Sequence, residues 1–201
     1  QWHRHLLHES ARDVCERPVP RLVGAEGRAQ GALDLEVVRR FRPGRPLDET
    51  WRTSLRYNDS YWLAGSGGVG YERASGYESL IGIDVGDDLY GVNTTCCIRI
   101  PFELHGDPCD HETMTLRMWY DDGFVAYLNG VEVARAQFTG TPQWDSHADN
   151  GIEAQGVESF DVSSHVDLLQ PGKNLLAIQG LNASSTSSDF LIWAELVVGE
   201  Q

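Results

Sequence analysis

The stretch Gly123-Phe124-Val125-Ala126-Tyr127-Leu128-Asn129-Gly130-Val131-Glu132-Val133-Ala134 carries the reading of the fold. Two runs rich in strand-forming residues flank Asn129-Gly130. A two-residue type I′ hairpin needs positive φ at both central positions, and Asn-Gly meets that need best. Within Phe124–Leu128 every neighbour is apolar, which suits a strand buried on both faces. Pro171-Gly172 marks a further turn, before the run Asn174–Leu181. Strands are expected at Thr95–Leu104, Thr113–Tyr120, Gly123–Leu128, Val131–Phe138, Val157–Val162, Asn174–Leu181 and Asp189–Val198. No window holds a sustained helical period. Short strands separated by Gly, Asn, Asp and Ser turns predict an all-β sandwich or barrel.

The chain has 201 residues, enough for one large domain or a domain with a short leader. Residues 1–47 form an expected N-terminal extension, and residues 48–201 the β-sandwich domain. The extension is irregular in pattern, with proline-rich runs at 17–20 and 42–46. Ala32–Val38 alone reads as a strand or short helix. The formal net charge is -14, from 16 basic and 30 acidic side chains. Residues 1–50 hold nine Arg against eight acids, and the remainder holds seven basic side chains against twenty-two acids. An acidic body excludes phosphate-backbone binding, so no nucleic-acid partner is expected. No segment has the roughly 20 apolar residues of a membrane helix.

Four cysteines occur, Cys15, Cys96, Cys97 and Cys109. They lack zinc-ligand spacing. Adjacent residues of a strand face opposite ways, so Cys96 and Cys97 would seek different partners. Two disulfides are expected, with Cys109 taking one of the adjacent pair and Cys15 the other. Free thiols in a reducing compartment are the other reading. Disulfides imply a secreted or cell-surface protein. Asn58, Asn93 and Asn182 each open an Asn-x-Ser/Thr sequon. The start Gln-Trp-His-Arg-His is no signal peptide, so a mature or excised segment is expected.

The run Tyr120-Asp121-Asp122-Gly123 through Ala134 resembles a hairpin of galactose-binding-like jelly rolls, and Pro171–Asn182 resembles one of their later strands. Closer still are jelly-roll modules of large secreted bacterial proteins that also carry lamin-tail and CotH-like domains. Trp51, Asp59-Ser60-Tyr61-Trp62, Gly65–Glu72, Arg99-Ile100-Pro101-Phe102 and Ser188–Ile192 carry that likeness, over roughly residues 50–198. The resemblance implies a jelly-roll β-sandwich of the galactose-binding type. It also implies kinship with carbohydrate-binding modules, and a structural calcium where an early loop meets the last strand. Asp189 and Glu195 are the candidates from that end.

Asp121-Asp122 is the sharpest chemical feature. Adjacent carboxylates at a hairpin mouth offer several oxygens to a hard cation such as Ca2+. The alternative is a turn in which an Asp caps backbone amides. The candidate metal set is Asp121, Asp122, Asp189 and Glu195. Asp84, Asp87 and Asp88 form a second acidic group, lacking a full calcium-loop pattern and better read as surface. For ligand binding, Trp144 sits in a polar loop over residues 139–156, where an indole face would stack on a sugar. Gln143, Asp145, His147 and Asn150 surround it, and Tyr71 would line a groove with Tyr77 and Tyr90. Covering the sandwich edge is the other role for Trp144. Trp51 and Trp62 read as core.

No G-x-S-x-G, H-E-x-x-H or P-loop motif is present, and the expectation is no enzyme. The leading reading is a secreted, calcium-stabilised module that binds a polysaccharide or glycan without catalysis. The alternative is a surface or matrix module that self-assembles or binds other surface proteins. A glycoside hydrolase or lyase would need two convergent carboxylates in a cleft.

Overall fold

The computed structural model describes residues 30–32, 38–40 and 46–200. Twelve strands fall in these segments. They are β1 (Gln30–Ala32), β2 (Val38–Arg40), β3 (Leu63–Gly65), β4 (Gly68–Glu72), β5 (Ile81–Asp84), β6 (Thr95–Leu104), β7 (His111–Asp121), β8 (Gly123–Leu128), β9 (Val131–Ala136), β10 (Glu158–Asp161), β11 (Gly172–Leu181) and β12 (Asp189–Glu200). Two one-turn helices, α1 (Thr50–Thr53) and α2 (Gly86–Leu89), join them. No helix among the described residues is long and apolar enough to cross a membrane.

The strands form two sheets, so the chain is an all-β sandwich. One sheet runs β10-β7-β12-β4-β5, with β1 also paired to β12. The other runs β3-β2-β6-β11-β8-β9. Two short strands of the expected extension thus join the sheets: Gln30 pairs with Gly199, and Arg39 with Arg99. Strands of three residues carry too little alternation to be read from sequence.

The core between the sheets is built by alternation. Met114, Leu116, Met118 and Tyr120 of β7 face Phe124, Ala126 and Leu128 of β8 and Ile98, Ile100 and Phe102 of β6. A second apolar layer covers the outer face of the β6-β11-β8 sheet, with Trp51, Trp62, Val125, Tyr127, Phe138, Leu175 and Ala177. Strand β8 is therefore buried on both faces, as its unbroken apolar run requires. Each such large side chain contributes about 1.5–3 kcal/mol by leaving water.

The two cysteines at the start of β6 divide between these layers, Cys96 inward and Cys97 outward. Both are buried thiols, and neither is in a disulfide. This corrects the expected two-disulfide arrangement: opposite strand faces lead both sulfurs into apolar packing. Burial also pushes the Cys97 thiol far up from its ordinary range, which makes it unreactive. Cys109 is half of a disulfide whose other half lies outside the described residues, as does Cys15.

The hairpin turn has the expected form, with φ of 49° at Asn129 and 92° at Gly130. Its side chain also bridges elements. Asn129 Nδ2 donates to the Leu168 carbonyl at 2.9 Å and to Asn174 Oδ1 at 2.8 Å, and Oδ1 accepts from the Leu175 N–H at 2.9 Å. Asn129→Ala is expected to cost about 2 kcal/mol, from the lost bonds and because Ala tolerates the positive φ here less well than Asn does. Urea unfolding checks this; a loss below half that figure would mean the bridge contributes nothing.

Candidate functional site

At one end of the sandwich four strand termini converge: the ends of β7 and β11 and the starts of β8 and β12. Asp121 and Asp122 lie at the β7–β8 turn, joined by a cis peptide bond. Both are buried, Asp121 to 1% exposure. Each holds different chain. Asp121 Oδ2 accepts from the Tyr77 hydroxyl at 2.9 Å and from the Ala154 N–H at 3.4 Å. Asp122 accepts from the Ile152 N–H at 2.8 Å and the Ala183 N–H at 2.6 Å. The pair therefore stitches three loops to the sheet ends, the amide-capping role weighed from sequence, here filled by both residues.

Asp121 has a second set of neighbours. Its carboxylate, that of Glu153 and that of Asp189 offer oxygens within 4.8 Å of one another. Burial, then the Asp122 charge, push the Asp121 carboxyl up to about 7, against the Tyr77 hydrogen bond. Asp122 is raised as well, chiefly by burial. An all-carboxylate donor set with buried members is what a hard divalent cation requires, and Asp121, Glu153 and Asp189 are the residues that would hold it.

Of the four acids expected at a metal, the structure brings Asp121 and Asp189 into this cluster and places Asp122 beside it. Glu195 is elsewhere. It lies six positions along β12, roughly 20 Å at the strand rise, and is paired to Arg117 at 2.6 Å. Glu153 was not foreseen, and Tyr77, expected to line a groove, is instead buried against Asp121. The resemblance pointed to the last strand and so to Glu195, whereas a long irregular loop delivers Glu153. Asp84 only caps the Gly86 N–H at 2.8 Å, at the start of α2.

The loop that supplies Glu153 also carries Trp144, a residue 39% exposed. The backbone beneath it is pinned. Asn93 Nδ2 donates to the Trp144 carbonyl at 3.3 Å, Gln179 Nε2 to the Gln143 carbonyl at 2.6 Å, and Thr95 Oγ1 to the Ser146 carbonyl at 2.6 Å. Asp145, His147 and Asn150 are exposed on the same loop. Asn150 Nδ2 reaches Gln137 Oε1 at 3.3 Å, and His147 Nδ1 contacts the Ala148 carbonyl at 2.9 Å.

Tyr71 does not belong to a binding groove. It is 3% exposed and packs against Phe190 with ring centroids 6.5 Å apart. Its hydroxyl donates to the Ser187 carbonyl at 2.9 Å and accepts from Asn182 Nδ2 at 3.1 Å. Its position in β4 faces inward, next to Val69 in the alternation, and core packing takes the ring. Two sequons are likewise internal, because Asn93 and Asn182 are buried and hydrogen-bonded.

The fold has relatives among solved structures. A calcium-binding mutant of beta-glucuronidase 2 from Bacteroides uniformis matches at TM-score 0.52 and 14% identity, over 86% of this chain and 18% of that one. The same enzyme bound covalently to cyclophellitol-6-carboxylate aziridine matches at 0.50 and 16%, over 87% and 18%. A beta-glucuronidase from an uncultured Clostridium species matches at 0.49 and 13%, over 91% and 31%. The likeness is one of fold. This chain spans less than a third of each of these enzymes, and such low identity assigns no activity to it. No protein-family model matches the chain, and no curated protein does.

Proposed function

We propose that this chain is a non-catalytic carbohydrate-binding module of a secreted protein, with a calcium ion at Asp121, Glu153 and Asp189. The observation that carries the reading is the partly exposed Trp144 ring on a backbone held by three separate elements. An indole on a pinned backbone has only two side-chain torsions to order when a sugar stacks on it. Asp145, His147 and Asn150 are polar partners within the same loop, suited to sugar hydroxyls. The beta-glucuronidases that share the fold act on sugars, which agrees with a glycan partner. Calcium would tie Glu153 to the sheet ends and so brace the loop from its other side. Binding per site is weak in this arrangement, and avidity in a longer chain would supply the strength.

A polysaccharide and glycan-array screen in millimolar calcium, repeated with EDTA and with Trp144→Ala, tests this. Trp144→Ala is expected to weaken binding at least tenfold, in line with an aromatic anchor worth more than about 1 kcal/mol, while leaving the thermal transition in place. A folded protein that binds no glycan would overturn the reading.

A further inference from the structure

The loops at the Trp144 end are 73–80, 85–94, 137–157 and 182–188, and Arg73 is the one Arg or Lys in their sequence. Its guanidinium lies 3.9 Å from the centroid of the Tyr90 ring. Its backbone N–H donates to the Ser188 carbonyl at 2.9 Å, which fixes the base of the side chain. Tyr90 is itself held edge-on against Tyr71, with centroids 6.3 Å apart. Among the described residues the ion pairs join Arg52, Arg99, Arg117 and Arg135 to carboxylates, and Arg73 is in none of them. The adjacent Glu72 turns instead onto its own loop and accepts from the Ala74 N–H at 2.8 Å. Three residues past Tyr90, Asn93 holds the Trp144 carbonyl. Arg73 and Tyr90 are therefore linked to the Trp144 loop through the segment 90–93, whose Asn93 bonds the Trp144 backbone.

We infer that Arg73, held over the Tyr90 ring, recognises a carboxylate of the glycan, so that the preferred ligand contains uronic acid residues. This rests on the carbohydrate reading of the Trp144 loop and names its substrate class. The chemistry is specific. A guanidinium has a planar fork that matches a carboxylate bidentately, and Arg73 is exposed to solvent while it sits over the ring. In a chain of net charge -14, Arg73 is a cation with no carboxylate partner among the described residues. The surrounding acids repel anions elsewhere, so the carboxylate is accepted at this one place and the preference weakens with salt.

The test is calorimetric titration of the calcium-loaded chain with a polyuronate oligosaccharide, with the same oligosaccharide after carboxyl reduction, and with a sulfated oligosaccharide. We expect the polyuronate to bind about tenfold more tightly than its reduced form, the scale of one charge-assisted bidentate contact. Arg73→Gln should abolish that ratio and leave binding of the reduced form unchanged. Tyr90→Leu should shrink the ratio by freeing the guanidinium. Equal binding of polyuronate and reduced oligosaccharide, both lost with Trp144→Ala, would overturn this inference and leave the carbohydrate reading standing. Sulfate bound as well as carboxylate would overturn the uronate assignment. Absence of binding to every oligosaccharide would remove both.

Discussion

Asp59→Ala should destabilise the sandwich by about 3–5 kcal/mol, the range for removing one partner of a buried ion pair. Its partner Arg99 projects from β6 into the outer apolar layer, with a side chain 2% exposed. Arg99 Nε donates to Asp59 Oδ2 at 2.9 Å, one terminal nitrogen donates to the Ser54 carbonyl at 3.0 Å, and the other to the Trp51 carbonyl. The guanidinium also sits over the Tyr57 ring at 5.3 Å. One side chain thus clamps residues 51–59 onto the second sheet and seats Trp51 against Tyr127, with centroids 6.2 Å apart. Taking away the carboxylate leaves a buried cation facing two carbonyls and the Tyr57 ring, with no anion in the described contacts to balance it. Replacing both partners, as Arg99→Met with Asp59→Leu, should cost less than the two single changes together, because no charge is then stranded. Denaturant unfolding of the three variants decides it. A loss below about 1 kcal/mol for Asp59→Ala would mean that water reaches the pair.

Calcium and pH should act on stability in opposite senses. In EDTA the Asp121 carboxyl stays protonated up to about pH 7 in the folded chain, whereas in the unfolded chain it ionises near 4. The folded state binds the extra proton between those values, so stability falls as pH rises from about 4 to about 7. The full shift corresponds to at most about 4 kcal/mol. With calcium present the sign reverses. The cation takes the ionised carboxylate, so binding releases a proton, and affinity drops about tenfold for each pH unit below 7. At pH 8, calcium at a hundred to a thousand times its dissociation constant adds about 2.7–4 kcal/mol. Thermal melts at pH 5 and pH 8, each with calcium and with EDTA, should show a large calcium effect at pH 8 and a small one at pH 5. Identical melting temperatures with calcium and EDTA at pH 8 would rule out the cation. Asp189→Asn should remove the calcium effect, because it takes one of the three clustered carboxylates away while the amide oxygen can still accept from the Ser187 and Ser188 hydroxyls, now at 3.3 and 3.4 Å.

The strand frame was legible because its signals are local. Asn129-Gly130 dictates a turn through backbone φ alone, and the two-sided apolar run Phe124–Leu128 could only be satisfied between two layers. The limits expected for Thr95–Leu104 and Gly123–Leu128 agree with the strands. The site was half legible. Asp121 and Asp122 stand out because two carboxylates share one turn, and Trp144 because it lies in a polar loop. Tyr71 misled because no strand was expected at Gly68–Glu72, and only within that strand does Tyr71 share the inward face of Val69. Glu195 misled because the last strand is long, and nothing in the sequence says which of its acids meets the β7 turn.

The chain's own pattern of apolar alternation and turn residues thus prescribed an all-β sandwich, a type I′ hairpin and a strand covered on both faces. Each depends on dihedral preference or on a period of two along a few consecutive residues. The meeting of Asp121, Glu153 and Asp189, the placing of Arg73 on Tyr90, the Arg99–Asp59 clamp and the burial of both adjacent cysteines were decided only in three dimensions. They depend on which strands lie side by side and how long loops close between them, and those distances are set by the packing of two whole sheets.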